Sequence, residues 1–328
     1  MDESTKERIR EFLRYRVQSC RVLVIGDIML DRYFYGQVTR ISPEAPVPVN
    51  LVDEKKDTLG GAANVAHNLA QLGCQTYLVG AIGRDHHGRV LQRKLRQGAI
   101  HTEGIIFGRE KTTTKIRILG GHQQMIRLDF EETDTIAKDV EEQIKIFVFQ
   151  QIKNGVDAII ISDYGKGICT SKTCQYIIMQ GKKKHIPVFV DPKGTQWGKY
   201  KGASYITPNV KEAGIVLNQT LNNGNEALCQ AAHRIKKQYS IENVMITRSE
   251  KGISLYGADS EINIPTVAQE VFDVSGAGDT VIAVFAAGLG SGLSELVSAE
   301  MANFAAGIEV GKLGTYAVSN QDIQNSLG

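Results

Sequence analysis

The chain reads as an α/β protein: one αβα sandwich around a central, mostly parallel sheet, with a small β-sheet lid. Three observations predict this. Short apolar runs alternate with amphipathic helical stretches over most of the 328 residues, the pattern of βα units whose sheet is covered on both faces. Polar residues gather at the ends of those apolar runs. Two segments, about 32–59 and 103–130, break the alternation with paired-strand patterns and are expected to form the lid. With 42% hydrophobic and 23% charged residues, the chain has ample material for a core. No Pro-, Gly- or Ser-rich linker divides it, so residues 1–328 are read as a single domain.

Each element has its local reason. Residues 1–17 are charged and helical, with no apolar stretch of the kind a secretory signal needs. Arg21-Val22-Leu23-Val24-Ile25-Gly26-Asp27 is a buried strand ending in a turn. Tyr33-Phe34-Tyr35-Gly36 and Ser42-Pro43-Glu44-Ala45-Pro46-Val47-Pro48-Val49 suggest short edge strands with prolines in the connections. Gly60-Gly61-Ala62-Ala63-Asn64 opens a helix through Leu72 that Gly73 closes. A strand at 76–81 and a helix at 87–96, closed by Gly98, follow. Residues 115–119 and 124–128 alternate around Gly120-Gly121 as a hairpin. Later strands are expected at 158–162, 188–191, 205–207 and 243–247. Helices centre on 138–153, 171–184, 226–238, 279–289 and 294–309.

The bulk properties exclude several classes. A net charge of +2 gives no field that favours nucleic acid or a membrane surface. Lys182-Lys183-Lys184 reads as the solvated end of a helix. No stretch reaches the ~18 apolar residues of a membrane span. The five cysteines, Cys20, Cys74, Cys169, Cys174 and Cys229, have irregular spacing, which fits reduced thiols in a cytoplasmic protein. His67, His86, His87, His101 and His122 show no metal-ligand spacing.

The densest signal is Asp273-Val274-Ser275-Gly276-Ala277-Gly278-Asp279-Thr280, feeding the apolar run Val281-Ile282-Ala283-Val284-Phe285-Ala286-Ala287. The N–H groups of Gly276, Ala277 and Gly278 at a helix start suit an anion. Asp279 stands where a base takes a proton from an attacking hydroxyl, the combination that phosphoryl transfer to an alcohol needs. A plain N-cap with a dipole-paired Asp is the competing reading. Further polar strand ends are Asp27 and Asp31, Asp163-Tyr164-Gly165-Lys166-Gly167, Asp191-Pro192-Lys193-Gly194, Thr207-Pro208-Asn209-Val210-Lys211-Glu212 and Thr247-Arg248-Ser249. In open α/β sheets, ligands bind beyond such ends. Asn209 and Glu212, one helical turn apart, suit Mg2+ held through water, or else simple stabilisation of a helix N-terminus.

These residues resemble the ribokinase-like (PfkB) carbohydrate kinases over roughly residues 10–320. Gly60-Gly61-Ala62-Ala63-Asn64-Val65-Ala66 is similar to the family's N-terminal pattern. Residues 273–279 are similar to its C-terminal pattern, and Asn209-Val210-Lys211-Glu212 to its Asn-x-x-Glu motif. Gly26-Asp27-Ile28-Met29-Leu30-Asp31, Gln123-Gln124-Met125-Ile126-Arg127-Leu128-Asp129 and Ser162-Asp163-Tyr164-Gly165-Lys166-Gly167 resemble the D-glycero-β-D-manno-heptose 7-phosphate kinases of bacterial lipopolysaccharide precursor synthesis. The resemblance implies ATP and Mg2+ as cofactors and leaves a monovalent cation open. It implies Asp279 as the base, with Gly276, Ala277 and Gly278 as the anion hole. Asp31, Gly60, Gly61 and Asn64 would bind sugar hydroxyls, and Arg127, Lys166 and Lys193 the substrate's own phosphate. Asn209 and Glu212 would organise Mg2+ and the phosphates. Thr247, Arg248, Gly252 and Asn303 would surround the nucleotide. A homodimer through the lid, and either a stand-alone kinase or one module of a longer protein, are further expectations. A kinase for ribose, fructose phosphate or a nucleoside, and a silent sugar-phosphate sensor, compete with this reading.

Overall fold

In a computed structural model of the chain, residues 1–121, 123–257, 260–268, 271–312 and 314–328 are described. His122 lies outside them. The first half contains α1 (Glu3–Glu11), β1 (Arg21–Gly26), β2 (Ile28–Ile41), β3 (Pro48–Gly61), α2 (Ala62–Leu72), β4 (Gln75–Gly83), α3 (His86–Gln97), β5 (His101–Arg109), β6 (Thr114–Gly120), β7 (Gln123–Phe130) and α4 (Lys138–Asn154). The second half contains β8 (Ala158–Ser162), α5 (Ser171–Lys183), β9 (Val188–Asp191), β10 (Tyr205–Ile206), α6 (Val210–Val216), α7 (Asn225–Tyr239), β11 (Asn243–Thr247), β12 (Ile253–Tyr256), β13 (Glu261–Ile264), α8 (Ala277–Gly290), α9 (Glu295–Val310) and α10 (Asn320–Ser326).

Nine strands form the main sheet in the order β13-β12-β11-β10-β9-β8-β1-β4-β5. Pairing is parallel from β11 to β5, and β12 and β13 add an antiparallel edge. Because successive strand side chains alternate faces, β1 and β8 split their residues between two cores. Val22, Val24, Ala158 and Ile160 pack with α2, α8 and α9 on one face. Leu23, Ile25, Ile159 and Ile161 pack with α4, α5 and α7 on the other. Strands buried on both faces must be apolar throughout, which is why β8 reads Ala-Ile-Ile-Ile. The helix α8 is buried from Asp279 to Gly288, as expected of an element that is apolar all round.

The lid is a second sheet, ordered β3-β2-β6-β7. Its boundaries correct the sequence reading in two ways. The first segment is not a set of short edge strands but a hairpin of two 14-residue strands, with Pro43 and Pro46 confined to the loop and Pro48 opening β3. Residues 101–109 belong to the main sheet, where β5 pairs in parallel with β4. An alternating run alone cannot tell a lid strand from a sheet edge. Only 114–130 complete the lid, with β6 parallel to β2 and antiparallel to β7. No described helix is long and apolar enough to cross a membrane.

Candidate active site

The turn before α8 is built around Gly276, whose φ of 103° makes it a left-handed N-cap. A side chain there would come within 2.5 Å of Glu309 Oε1 and 3.1 Å of Asn64 Nδ2, so only glycine fits. Asp273 secures the turn: its Oδ1 accepts from Ser275 N at 2.8 Å and its Oδ2 from Gly314 N at 3.2 Å. Ala277 N–H reaches Val274 O at 3.4 Å. Gly278 lies on the open side of the turn, where an added side chain would meet nothing within 4 Å.

Asp279 follows in the first turn of α8 and is 4% exposed. Both its oxygens are engaged. Asn64 Nδ2 donates to Oδ2 at 2.8 Å and the Tyr164 hydroxyl donates to Oδ1 at 2.8 Å. Burial pushes its pKa up to about 6, the two hydrogen bonds act against that, and the charge of Asp31 adds to the rise. A carboxyl so tuned accepts a proton near neutral pH and gives it up again.

Asp31 reaches this cluster from β2. Its Oδ1 accepts from an Arg117 nitrogen at 2.6 Å, and the Arg117 guanidinium lies 5.2 Å from the Tyr33 ring centre. Gly60 passes so close that a Cβ there would stand 2.3 Å from Asp31 Oδ2. Gly61 caps α2, which carries Asn64. Thus Asp31, Gly60, Gly61, Asn64, Gly276 and Asp279 converge.

The cations divide between two places. Arg127 lies opposite Arg117 in the β6–β7 register, 51% exposed and bound to Asp129. Lys115 pairs with Asp129 and Glu131, and Lys166 Nζ meets Glu131 Oε1 at 2.8 Å. Lys193 stands elsewhere: its Nζ is 3.2 Å from Glu212 Oε1, and its side chain is 52% exposed.

The Asn209–Glu212 pair forms a capping box on α6. Glu212 N donates to Asn209 Oδ1 at 2.8 Å, and Asn209 N donates to Glu212 Oε2 at 3.1 Å, the reciprocal satisfaction of two helix-end donors. Asn209 and Thr247 line an open groove of about 1100 Å3 together with Thr195, Lys211, Asn223 and Ser249. Nearby, the Asp191 carboxyl is pushed well above the ordinary range by burial, then by repulsion from Asp279 and Glu212. Such undercompensated negative charge fits a divalent cation beside Glu212. Among the described residues, no group of three or more His, Cys, Asp or Glu gathers to hold a metal, so a Mg2+ here would keep much of its water.

Three of the residues expected around the nucleotide have internal partners. The Arg248 guanidinium donates to Asn223 and Ser254. Asn303 Nδ2 donates to Pro265 O at 2.9 Å. Gly252 closes a tight turn in which its carbonyl accepts from Arg248 N at 2.8 Å. Sequence reasoning missed Arg117, Tyr164 and Lys199, the last of which binds Asp163. Only the Tyr164 motif carried a signal, its position directly after a buried strand.

A glycine turn opening α8, with the buried Asp279 carboxyl beside it and a charged lid sheet carrying Asp31, is an arrangement suited to phosphoryl transfer to an alcohol. The match to the pfkB family of carbohydrate kinases runs over residues 20–322, and the chain belongs to that family. It is 44% identical over 315 residues to the bifunctional protein HldE of Citrifermentans bemidjiense, covering 95% of this chain and 64% of that protein. The HldE protein of Haemophilus influenzae is 44% identical over 313 residues, 94% of this chain and 64% of the relative. The chain therefore spans 64% of the length of these curated relatives. Among solved structures, phosphofructokinase-2 from Escherichia coli in complex with potassium superposes with a TM-score of 0.77 at 17% identity, covering 94% of this chain and 97% of that one. Ribokinase from Arabidopsis thaliana, complexed with ribose and ATP, gives 0.73 at 19% identity, covering 94% and 98%. These two likenesses concern the fold.

Proposed function

We propose that this chain is an ATP-dependent kinase that phosphorylates O1 of D-glycero-β-D-manno-heptose 7-phosphate, giving the 1,7-bisphosphate used in ADP-heptose synthesis for the lipopolysaccharide core. The observation that carries this reading is a proton-accepting carboxyl, Asp279, beside a lid bearing Lys115 and Arg117, with Lys166 joined to the lid through Glu131. A base is common to every sugar kinase. A cluster of cations that can exchange carboxylate partners for an anion suits an acceptor that already carries phosphate, because charge-assisted contacts discriminate strongly against the neutral sugar.

In this reading Asp279 takes the proton of the attacking hydroxyl, while Asp31 and Asn64 orient the sugar. The phosphoryl group passes from ATP to the sugar oxygen and ADP leaves. The Gly278 N–H on the open side of the α8 turn would meet the charge that develops during transfer, and Ala277 N–H would join it by giving up its long contact to Val274 O. Mg2+, when bound, neutralises phosphate charge; Asn209 and Glu212 would hold it through water. The groove lined by Asn209 and Thr247 would take the nucleotide. A second copy of the chain would cover the lid, whose Ile41, Leu51, Val52, Ile126 and Phe130 are exposed apolar residues. Cytoplasmic placement accompanies this role.

ADP release with Mg-ATP against heptose 7-phosphate, ribose, fructose 6-phosphate and adenosine tests the proposal. Turnover confined to heptose 7-phosphate is the expected result. Turnover with another acceptor and none with heptose 7-phosphate would overturn the substrate assignment.

A further inference from the structure

Tyr164 stands out because its hydroxyl touches the Asp279 carboxyl from a loop, outside the helix that carries the base. It sits in the loop between β8 and α5. That loop is organised from beneath by two buried carboxylates. Asp27 Oδ2 accepts from Tyr164 N at 2.8 Å and from Lys166 N at 2.9 Å, and its Oδ1 accepts from Ile168 N at 3.2 Å. Asp163 accepts from Gly165 N at 2.7 Å and from the Tyr200 hydroxyl at 2.6 Å, and Lys199 completes its coordination. Loops are usually the mobile parts of a fold. This one has its backbone donors consumed by carboxylates fixed to β1 and β8, so its side chains are held by a rigid support.

We propose that Tyr164 is a positioning residue for the transfer: its hydroxyl, set on Asp279 Oδ1 by the Asp27–Asp163 loop, holds the base in its working orientation and favours its ionised form. The inference rests on Asp279 being the base. The two donors bracket that carboxyl from different elements, Asn64 from α2 and Tyr164 from the loop after β8. A carboxyl with both oxygens fixed cannot rotate away, and one oxygen can exchange its donor for the sugar hydroxyl while the other stays anchored. Tyr164 itself keeps its proton, because burial and the nearby Asp279 and Asp191 charges push its phenol well above the usual range. It is therefore a donor throughout the cycle and not a competing base. Besides Tyr164 and Asn64, three acidic groups lie near Asp279: Asp31 on the lid, which opposes its ionisation, and Asp191 at the end of β9 and Glu309 on α9, whose own carboxyls its charge pushes up. Removing the tyrosine donor thus leaves burial and Asp31 less opposed.

The test is Tyr164→Phe, which keeps the ring and deletes the hydroxyl. The pH profile of kcat/KM should have its acid limb moved up by about one unit. That is a roughly tenfold loss on the acid side, with the difference fading at high pH. Difference infrared titration of the Asp279 carboxyl, with Asp279→Asn as the blank, should show the same upward move without relying on turnover. An unmoved carboxyl titration and acid limb in Tyr164→Phe would overturn the proposal. Full activity in Asp279→Asn would instead remove the base reading beneath it, so the two failures are distinguishable. A uniform loss of kcat at all pH values, with the carboxyl titration unchanged, would mean that Tyr164 only supports the loop, and would also overturn it.

Discussion

The N-termini of α8 and α6, the two ends of the proposed site, are built in opposite styles. At α8 the Asp279 carboxyl is buried, both its oxygens are bound, and the glycine turn is wedged against Glu309. At α6 the cap residues bind each other, Glu212 meets an exposed lysine, and the surrounding groove is open. The lid resembles the second style, with cations paired to carboxylates at its rim. Chemistry that must be repeated identically is preorganised in the core. Ligands that must enter and leave meet groups that can trade one partner for another.

The largest contrast should appear at the base. Asp279→Asn is expected to lower turnover by roughly a thousandfold or more, with ATP binding and Tm preserved; steady-state rates beside a thermal melt check both. Next comes the cost of burying charge. Glu309 is 1% exposed, and neither carboxyl oxygen has a hydrogen-bond partner among the described residues. Burial raises its pKa from 4.5 to about 8; the nearby Thr280 hydroxyl acts against that, and the charges of Asp279 and Asp273 add to the rise. A carboxyl raised in this way favours the fold below its unfolded pKa and loses that advantage as pH rises toward the folded value. Glu309→Gln should therefore flatten the pH dependence of stability, removing a decline of roughly 3 kcal/mol between pH 5 and 7.5. Urea unfolding at several pH values reads this directly, and parallel curves for variant and parent would refute it.

Smaller effects separate the open regions. Arg117→Ala should raise KM for the phosphosugar about tenfold through loss of a charged contact, while KM for ATP stays put. Asn209→Ala removes half of the capping box and should cost about 1 kcal/mol of stability. An equal rise in both KM values for Arg117→Ala would blur the proposed division between lid and groove.

Much of the core half was legible in the chain. Val22–Ile25 and Ile159–Ile161 are apolar because both faces are buried, and Gly276 is glycine because a left-handed cap and Glu309 leave no alternative. The lid was less legible for a physical reason. Its strands alternate like any sheet edge, so nothing local assigned 101–109 to the main sheet or joined the short strands of 32–59 into one hairpin of 14-residue strands. The short strands β12 and β13 carry too few residues for a clear period. Contacts made by register escaped as well: Arg117 meets Asp31 only because β6 runs parallel to β2, and Tyr164 meets Asp279 across 115 residues of sequence.

The division between a fixed core and a selective lid is tested most directly by kcat/KM for heptose 7-phosphate against the same heptose without its phosphate. A preference of about a hundredfold or more for the phosphorylated sugar, lost in large part with Arg117→Ala, is the expected result. Equal kcat/KM for the two sugars would contradict the account, because the lid cations would then take no part in choosing the acceptor.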